Sequence, residues 1–344
     1  MQIPIKNIYY LLSYAWNKLE ESDRVRISIE EKTHILDLFA KVLINATRIL
    51  LKRGIDQSYV ELTSEIHAIR GKLEFSASVK RGLLEKSKAV CSFDEFSSNI
   101  LANKILVTTL LRLVRTKELD KGLKEELISL MRMLPAIDQL ELRSSMFKQV
   151  KLSRNNRFYG FILNVCQIMY ECTLPTEKKG EYYFVDFTRD QNKMNRLFEE
   201  FVRNFYKIEC DNFPNVRREN IRWNFDDDSV DLAYLPQMMT DITLENEHRK
   251  IIIDAKYYSD TLVVNFEKEK IRSSNLYQLF SYIVNQEDDT PKTMNACGIL
   301  LYPTVQKDYD LEYSYGNHKI KLCTVNLNTD WTIISKRLLK IVDI

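Results

Sequence analysis

The sequence predicts an α/β protein, α+β over the whole chain: a mostly helical N-terminal domain with a small β projection, then a mixed sheet flanked by helices. Three observations carry this. Apolar residues recur at helical spacing through most of the first half. The second half runs helix, strand meander, helix, strand. The stretch TDITLENEHRKIIIDAKYY, residues 240–258, reads as two strand-like segments around a polar turn, apolar enough to lie inside a sheet.

In NIYYLLSYAWNKLEES, the residues Ile8, Leu11, Leu12, Ala15, Trp16 and Leu19 mark one face of a helix, and Ile35, Leu38, Phe39, Val42, Leu43, Ala46 and Ile49 mark the next. Residues 57–80, QSYVELTSEIHAIRGKLEFSASVK, break into shorter alternating patches around Gly71 and predict a small β element or extended projection. SSNILANKILVTTLLRLVRT returns to a helix with Ser97 or Ser98 as its N-cap, and LKEELISLMRML is another, ending before Pro135. The polar stretch KLSRNNRFYG is the best boundary and divides the chain into 1–155 and 156–344. Beyond it the helices FYGFILNVCQIMYECT and NKMNRLFEEFVRNFYKIE are separated by a loop through Lys178 and Gly180. Strand-like SVDLAYL, the quoted hairpin, the helix SSNLYQLFSYIVN, the strands ACGILLYP and KIKLCTVNL and a last helix follow.

Composition removes several functions. The chain has 344 residues, and fifty Lys and Arg against forty-eight Asp and Glu leave a formal charge of +2, so any nucleic-acid surface must be local. No apolar run has the length of a membrane span, and the start lacks the pattern of a signal peptide, so a cytoplasmic protein is expected. Six cysteines and four histidines lie scattered without metal-binding spacing, which argues for free thiols in a reducing compartment and against zinc. None of the eight glycines falls in a phosphate-binding motif, so the chain should hold no nucleoside triphosphate of its own.

The chemistry concentrates in the hairpin. Side chains alternate along a strand, so Asp254 and Lys256 project to one side and Ala255 to the other. A hairpin symmetric about Glu247 and His248 sets Asp241 across from Asp254, with Cβ atoms about 5 Å apart. At an effective dielectric near ~20, two like charges at that separation repel by roughly 3 kcal/mol. Such a pair shares a proton, recruits a cation, or is broken by a different register. Carboxylate and water oxygens suit Mg²⁺ or Mn²⁺, to which the Ala255 carbonyl can add a ligand, with Lys256 placed to orient or deprotonate a water and offset charge on a phosphoryl group. That chemistry is phosphodiester hydrolysis. A D-x-K triplet alone more often marks a salt bridge on a half-exposed strand. Gln278 and Tyr282, at i and i+4 in NLYQLFSY, face one way on a helix whose apolar face carries Leu276, Leu279 and Ile283, and by spacing alone they read as a polar helix edge. Glu199 in RLFEEFV is a further candidate metal ligand, with Glu200 as its alternative, and Asp231 replaces Asp241 as first acid if the register differs.

TDITL, a short turn, IIIDAKYY and then NLYQLFSYI resemble the PD-(D/E)xK nuclease superfamily in its RecB-like branch, whose helix carries Q-x-x-x-Y. Within it, IPIKNIYYLLSYAW, IRGKLEFSASVKRG, CSFDEFSSNILANKIL, the RMLP segment and GILLYPTV through LCTVNL resemble the McrC family, nuclease subunits of McrBC methylation-dependent restriction systems, over essentially the whole chain. The resemblance implies a C-terminal PD-(D/E)xK endonuclease domain over 156–344 that cuts double-stranded DNA carrying modified cytosine. It implies an N-terminal domain over 1–155 that docks on a McrB-like AAA+ GTPase hexamer, where GTP is bound by the partner and its hydrolysis stimulated. By motif match it makes Asp241 and Asp254 the Mg²⁺ ligands, Lys256 the catalytic lysine and Gln278 and Tyr282 the branch's helix motif, with Glu199 a looser match to its acidic position. Thr240 stands where the superfamily pattern has proline.

Overall fold

The computed structural model describes residues 3–17, 34–152, 156–178, 180–225, 234–258, 263–265, 268–270, 272–304 and 308–343. Contacts divide the chain into two compact units, one over Thr33–Val185, the other joining Met1–Ser22 to Asp186–Ile344. The boundary expected at 155/156 is therefore displaced, and the first helix is not part of the N-terminal unit. The physical reason is long-range packing. Helix α1 (Ile5–Ala15) lies against the helix over Gln191–Glu209, where Tyr14 meets Phe201 and Phe205 and its hydroxyl donates to Glu209 Oε1 at 2.7 Å. Asn7 Nδ2 donates to the carbonyls of Leu327 and Thr329 at 2.9 and 2.8 Å, and Tyr10 stacks on Trp331.

The N-terminal unit contains α2 (Ile35–Arg53), β1 (Ser58–Ile66), β2 (Lys72–Leu73), α3 (Phe75–Lys80), β3 (Ala89–Ser97), α4 (Leu101–Val114), α5 (Lys121–Arg132), α6 (Ser144–Gln149), α7 (Arg157–Cys172), β4 (Thr173–Pro175) and β5 (Tyr182–Phe184). Leu38, Phe39, Val42, Leu43 and Ala46 of α2 are wholly buried, so the expected apolar face is a core face. Of residues 57–80, β1 and β2 are strands and the end is helix α3; both strands pair antiparallel with β3, from beyond that stretch, in the order β1–β3–β2. Gly71 turns the chain at φ +70°, and a Cβ there would sit 2.4 Å from the Ser92 carbonyl oxygen, so only glycine fits. The expected serine cap of α4 is absent. Ile100 occupies the N-cap without a side-chain bond, because Ser97 Oγ is taken earlier by the Asn99 N–H at 3.0 Å.

The C-terminal unit continues with α8 (Gln191–Glu209), β6 (Asn215–Arg217), β7 (Asn220–Ile221), β8 (Met238–Met239), β9 (Ile242–Glu245), β10 (Lys250–Ala255), β11 (Val263–Asn265), β12 (Lys268–Lys270), α9 (Ser273–Asn285), α10 (Pro291–Met294), β13 (Cys297–Thr304), β14 (Asp310–Tyr315), β15 (His318–Asn326) and α11 (Trp331–Val342). Its main sheet runs β14–β15–β13–β10–β9–β6, with β10, β13 and β15 parallel and the outer strands antiparallel to their neighbours. Every residue of β10 and β13 is buried, as central parallel strands covered on both faces require. Helix α9 covers one face, packing Leu279, Tyr282 and Ile283 on Ile252, Leu300, Tyr302 and Leu322. Gly298 permits that approach, since a Cβ there would lie 2.3 Å from Ile283 Cδ1. The strand expected at SVDLAYL falls largely outside the described residues, and β14, an edge strand, had no counterpart in the sequence reading. All six cysteines are buried. Among the described residues no helix is long and apolar enough to cross a membrane.

Candidate active site

The site grows from one tight turn. Asn246 Oδ1 accepts the N–H groups of His248 and Arg249 at 2.9 and 2.8 Å, and Asn246 N–H donates to the Arg249 carbonyl at 3.0 Å. This closes the chain between β9 and β10 with Lys250 opposite Glu245 and Ile253 opposite Ile242. Continuing the register by one pair sets Asp254 across from Asp241, the arrangement expected from a hairpin symmetric about Glu247 and His248.

Three side chains meet there. Lys256 Nζ lies 3.1 Å from Asp241 Oδ2 and 2.9 Å from Asp254 Oδ1, bridging the two carboxylates. Asp241 Oδ2 also accepts the Ala255 N–H at 3.2 Å, so the described contact of Ala255 with the acids is through its amide. Lys256 follows the end of β10, and its own N–H donates to the Leu301 carbonyl of β13 at 3.0 Å. Asp254 is wholly buried, and its Oδ1 meets the Lys256 ammonium. Its Oδ2 has no hydrogen-bond partner among the described residues.

The residue before Asp241 explains the departure from proline. Thr240 is fully buried, its N–H donates to the Glu219 carbonyl at 2.9 Å, and its hydroxyl accepts the Glu219 N–H at 2.9 Å. Proline has no N–H and would forfeit the first bond.

Two helices flank the pair. On α9, Gln278 Nε2 donates to the Tyr282 hydroxyl at 2.7 Å, and that hydroxyl donates to the Met239 carbonyl at 2.9 Å. The two residues thus share one face, as their spacing predicts, and clamp the chain two residues ahead of Asp241. On α8, Glu199 is 8% exposed and its carboxylate is held by Asn195 Nδ2 and, at 3.1 Å, by Arg218. Glu200 turns away to pair with Arg203. Among the described residues no group of three or more His, Cys, Asp or Glu side chains is assembled to hold a metal ion, and the described partners of the Glu199 carboxylate are Asn195 and Arg218. Asp231 lies outside the described residues.

Electrostatics follow from burial. Loss of solvent pushes the Asp254 carboxyl up to about 7, against the pull of the Lys256 ammonium and with the push of Asp241. Burial alone would depress Lys256, but Asp254 and Asp241 outweigh it and hold the ammonium charged, with its pKa raised. Glu199 is also raised, by burial first and by the Asp241 charge second. The donor set suits a divalent cation: two facing carboxylates, one with an oxygen that has no hydrogen-bond partner among the described residues, and an ammonium standing in for a cation between them.

A family model described as the McrBC 5-methylcytosine restriction system component matches residues 6–303. The chain belongs to that family. Among curated McrBC proteins it is 34% identical over 344 residues to the type IV methyl-directed restriction enzyme EcoKMcrBC of Escherichia coli strain K12, covering 99% of this chain and 97% of that protein. Among solved McrBC structures, it matches a chain of the refined half-complex from a tetradecameric assembly of Thermococcus gammatolerans McrB AAA+ hexamers with bound McrC. The TM-score is 0.60, over 99% of this chain and 75% of that one, and at 16% identity the likeness is one of fold. Within this McrBC-family chain, sequence reasoning missed Asn195 and Arg218. Asn195 precedes Glu199 by one helical turn, a spacing that is legible; Arg218 comes from beyond the end of α8 and leaves no local signal.

Proposed function

We propose that the chain is the DNA-cutting subunit of a modification-dependent restriction system, hydrolysing phosphodiester bonds with Mg²⁺ held by Asp241 and Asp254. The observation that supports this best is the wholly buried Asp254 carboxylate, bridged to Asp241 by Lys256 and with its Oδ2 lacking a hydrogen-bond partner among the described residues, in a member of the McrBC family. Burying two facing carboxylates with one ammonium between them is costly, and a binding function offsets that cost.

Magnesium at such a pair would polarise a phosphoryl oxygen and make a water acidic enough to yield the hydroxide that attacks phosphorus. The remaining work falls to the chain. Asp241 and Asp254 bind, their separation fixed by the hairpin register. Lys256 stays protonated and, with the cation in its place between the carboxylates, presents its ammonium to the charge that develops on the phosphoryl oxygens. Tyr282 and Gln278 hold the end of β8, two residues before Asp241, and Gln278, on the exposed side of α9, would meet the DNA backbone.

The same reading assigns the partner. A McrB-like AAA+ GTPase hexamer binds and hydrolyses GTP, and the N-terminal unit engages it, with the β1–β3–β2 sheet as the element that enters the ring. Removal of residues 57–80 that left GTPase stimulation intact would count against that placement. The function itself is tested by cleavage of duplex DNA carrying 5-methylcytosine in the presence of partner, GTP and Mg²⁺. Wild type should cut, and Asp254→Ala and Lys256→Ala should not, while both variants still stimulate GTP hydrolysis. Cutting without partner or GTP would make the chain a stand-alone nuclease, and stimulation without any cutting by wild type would make it an adapter.

A further inference from the structure

Helix α8 carries exposed Gln191, half-buried Asn195 and buried Glu199 at i, i+4 and i+8, one polar stripe on a helix whose buried apolar positions are Met194, Phe198, Phe201, Val202, Phe205 and Tyr206. The stripe faces the residue that follows Lys256. Asn195 Oδ1 accepts the Tyr257 N–H at 2.8 Å, and Gln191 Nε2 donates to the Tyr257 carbonyl at 3.4 Å. Both polar groups of the Tyr257 backbone are thus read by α8, while the Lys256 N–H is taken by Leu301 of β13. The Tyr257 ring is buried edge-on against Phe198.

We propose that Asn195 is a positioning residue for Lys256, and that Glu199 acts as the anchor of the Asn195 amide and not as a cation ligand. The inference rests on the nuclease reading of the site and assigns two of its surrounding residues. The amide has one workable orientation: its oxygen must meet the Tyr257 N–H, so its NH₂ must meet the Glu199 carboxylate. Glu199 in turn is steadied by Arg218 on its second oxygen. The chain Arg218–Glu199–Asn195–Tyr257 therefore fixes the backbone one residue past the lysine, where the β10 ladder has ended. A four-carbon stem amplifies any backbone shift at its root, and displacements on the order of 1 Å at a reacting group cost about 100-fold in rate.

The test is DNA cleavage by the full chain with partner GTPase, GTP and Mg²⁺ on a 5-methylcytosine duplex, beside hydrogen exchange at the Tyr257 amide and Ca²⁺ binding by calorimetry. Asn195→Ala should lower kcat about 10- to 100-fold with KM for DNA changed less than about twofold, and should speed exchange at Tyr257. Asn195→Asp keeps the acceptor for Tyr257 but sets a carboxylate against Glu199, and should also lower kcat. Adding Glu199→Gln to it exchanges donor and acceptor across the pair at constant charge, and should restore kcat. Glu199→Gln alone should leave Ca²⁺ affinity unchanged. Wild-type kcat in Asn195→Ala, a double variant no better than Asn195→Asp, or loss of Ca²⁺ binding in Glu199→Gln would each overturn the assignment. Asp254→Ala in the same assay separates the levels: full cutting by it overturns the nuclease reading, whereas its inactivity beside a fully active Asn195→Ala overturns only the positioning role.

Discussion

Tyr282 donates its phenolic hydrogen to the Met239 carbonyl at 2.9 Å, and so ties helix α9 to the end of β8, two residues before Asp241. The tyrosine is itself steadied by Gln278, one turn earlier, at 2.7 Å. Tyr282→Phe keeps the buried ring and removes this bond together with the one its hydroxyl accepts from Gln278. It should cost about 0.5–1.5 kcal/mol of stability and lower kcat by about tenfold, read by chemical denaturation and cleavage kinetics. An unchanged kcat would mean that the Asp241 strand needs no such clamp.

Asp254→Asn should abolish cleavage and yet stabilise the metal-free protein at alkaline pH. The folded-state pKa of Asp254 is raised to about 7, above its unfolded value, so the stability that its protonated form provides is present in acid and lost as pH rises through about 7. An uncharged amide escapes that loss. The variant should exceed wild type by about 1–3 kcal/mol near pH 8, with the difference shrinking toward pH ~4. Thermal melts across pH check this, and a variant less stable than wild type at pH ~8 would contradict it.

Cation binding should release a proton. A carboxyl that titrates near 7 must be deprotonated to ligate, so the apparent affinity for Ca²⁺ should rise from pH about 6 to about 8, with heats that depend on the ionisation enthalpy of the buffer. Affinity independent of pH over that range would show that Asp254 is not the group displaced.

Gly298→Ala probes the seating of α9. A Cβ there would meet Ile283 Cδ1 at 2.3 Å and Leu279 Cγ at 3.0 Å, so the helix must lift or its side chains must leave their rotamers. Destabilisation of about 1–3 kcal/mol is expected, with a smaller loss of activity as Tyr282 moves with the helix. A melting temperature equal to wild type would show that the contact relaxes freely.

What could be read without coordinates follows physical range. The hairpin register is legible because its determinants are local: apolar runs at Ile251–Ile253 and Ile242–Leu244, and a polar turn between them. The shared face of Gln278 and Tyr282 is legible for the same reason, since four residues bring side chains together on any helix. The domain boundary is not, because α1 joins the C-terminal unit through Asn7, Tyr10 and Tyr14, whose partners lie at Leu327, Trp331 and Glu209. The engagement of Glu199 was hidden for a related reason. A helical glutamate looks equally fit to bind a metal or to face water until Arg218 and Asn195 are seen holding it.

The central claim is that Asp241 and Asp254 share one divalent cation. Crystals of the protein soaked in Mn²⁺ and measured at the manganese absorption edge test it most directly. The account predicts an anomalous peak about 2.1 Å from oxygens of both aspartates, with the Lys256 ammonium displaced from between them. A fully occupied Mn²⁺ peak bound elsewhere, with Lys256 still bridging the two carboxylates, would contradict it.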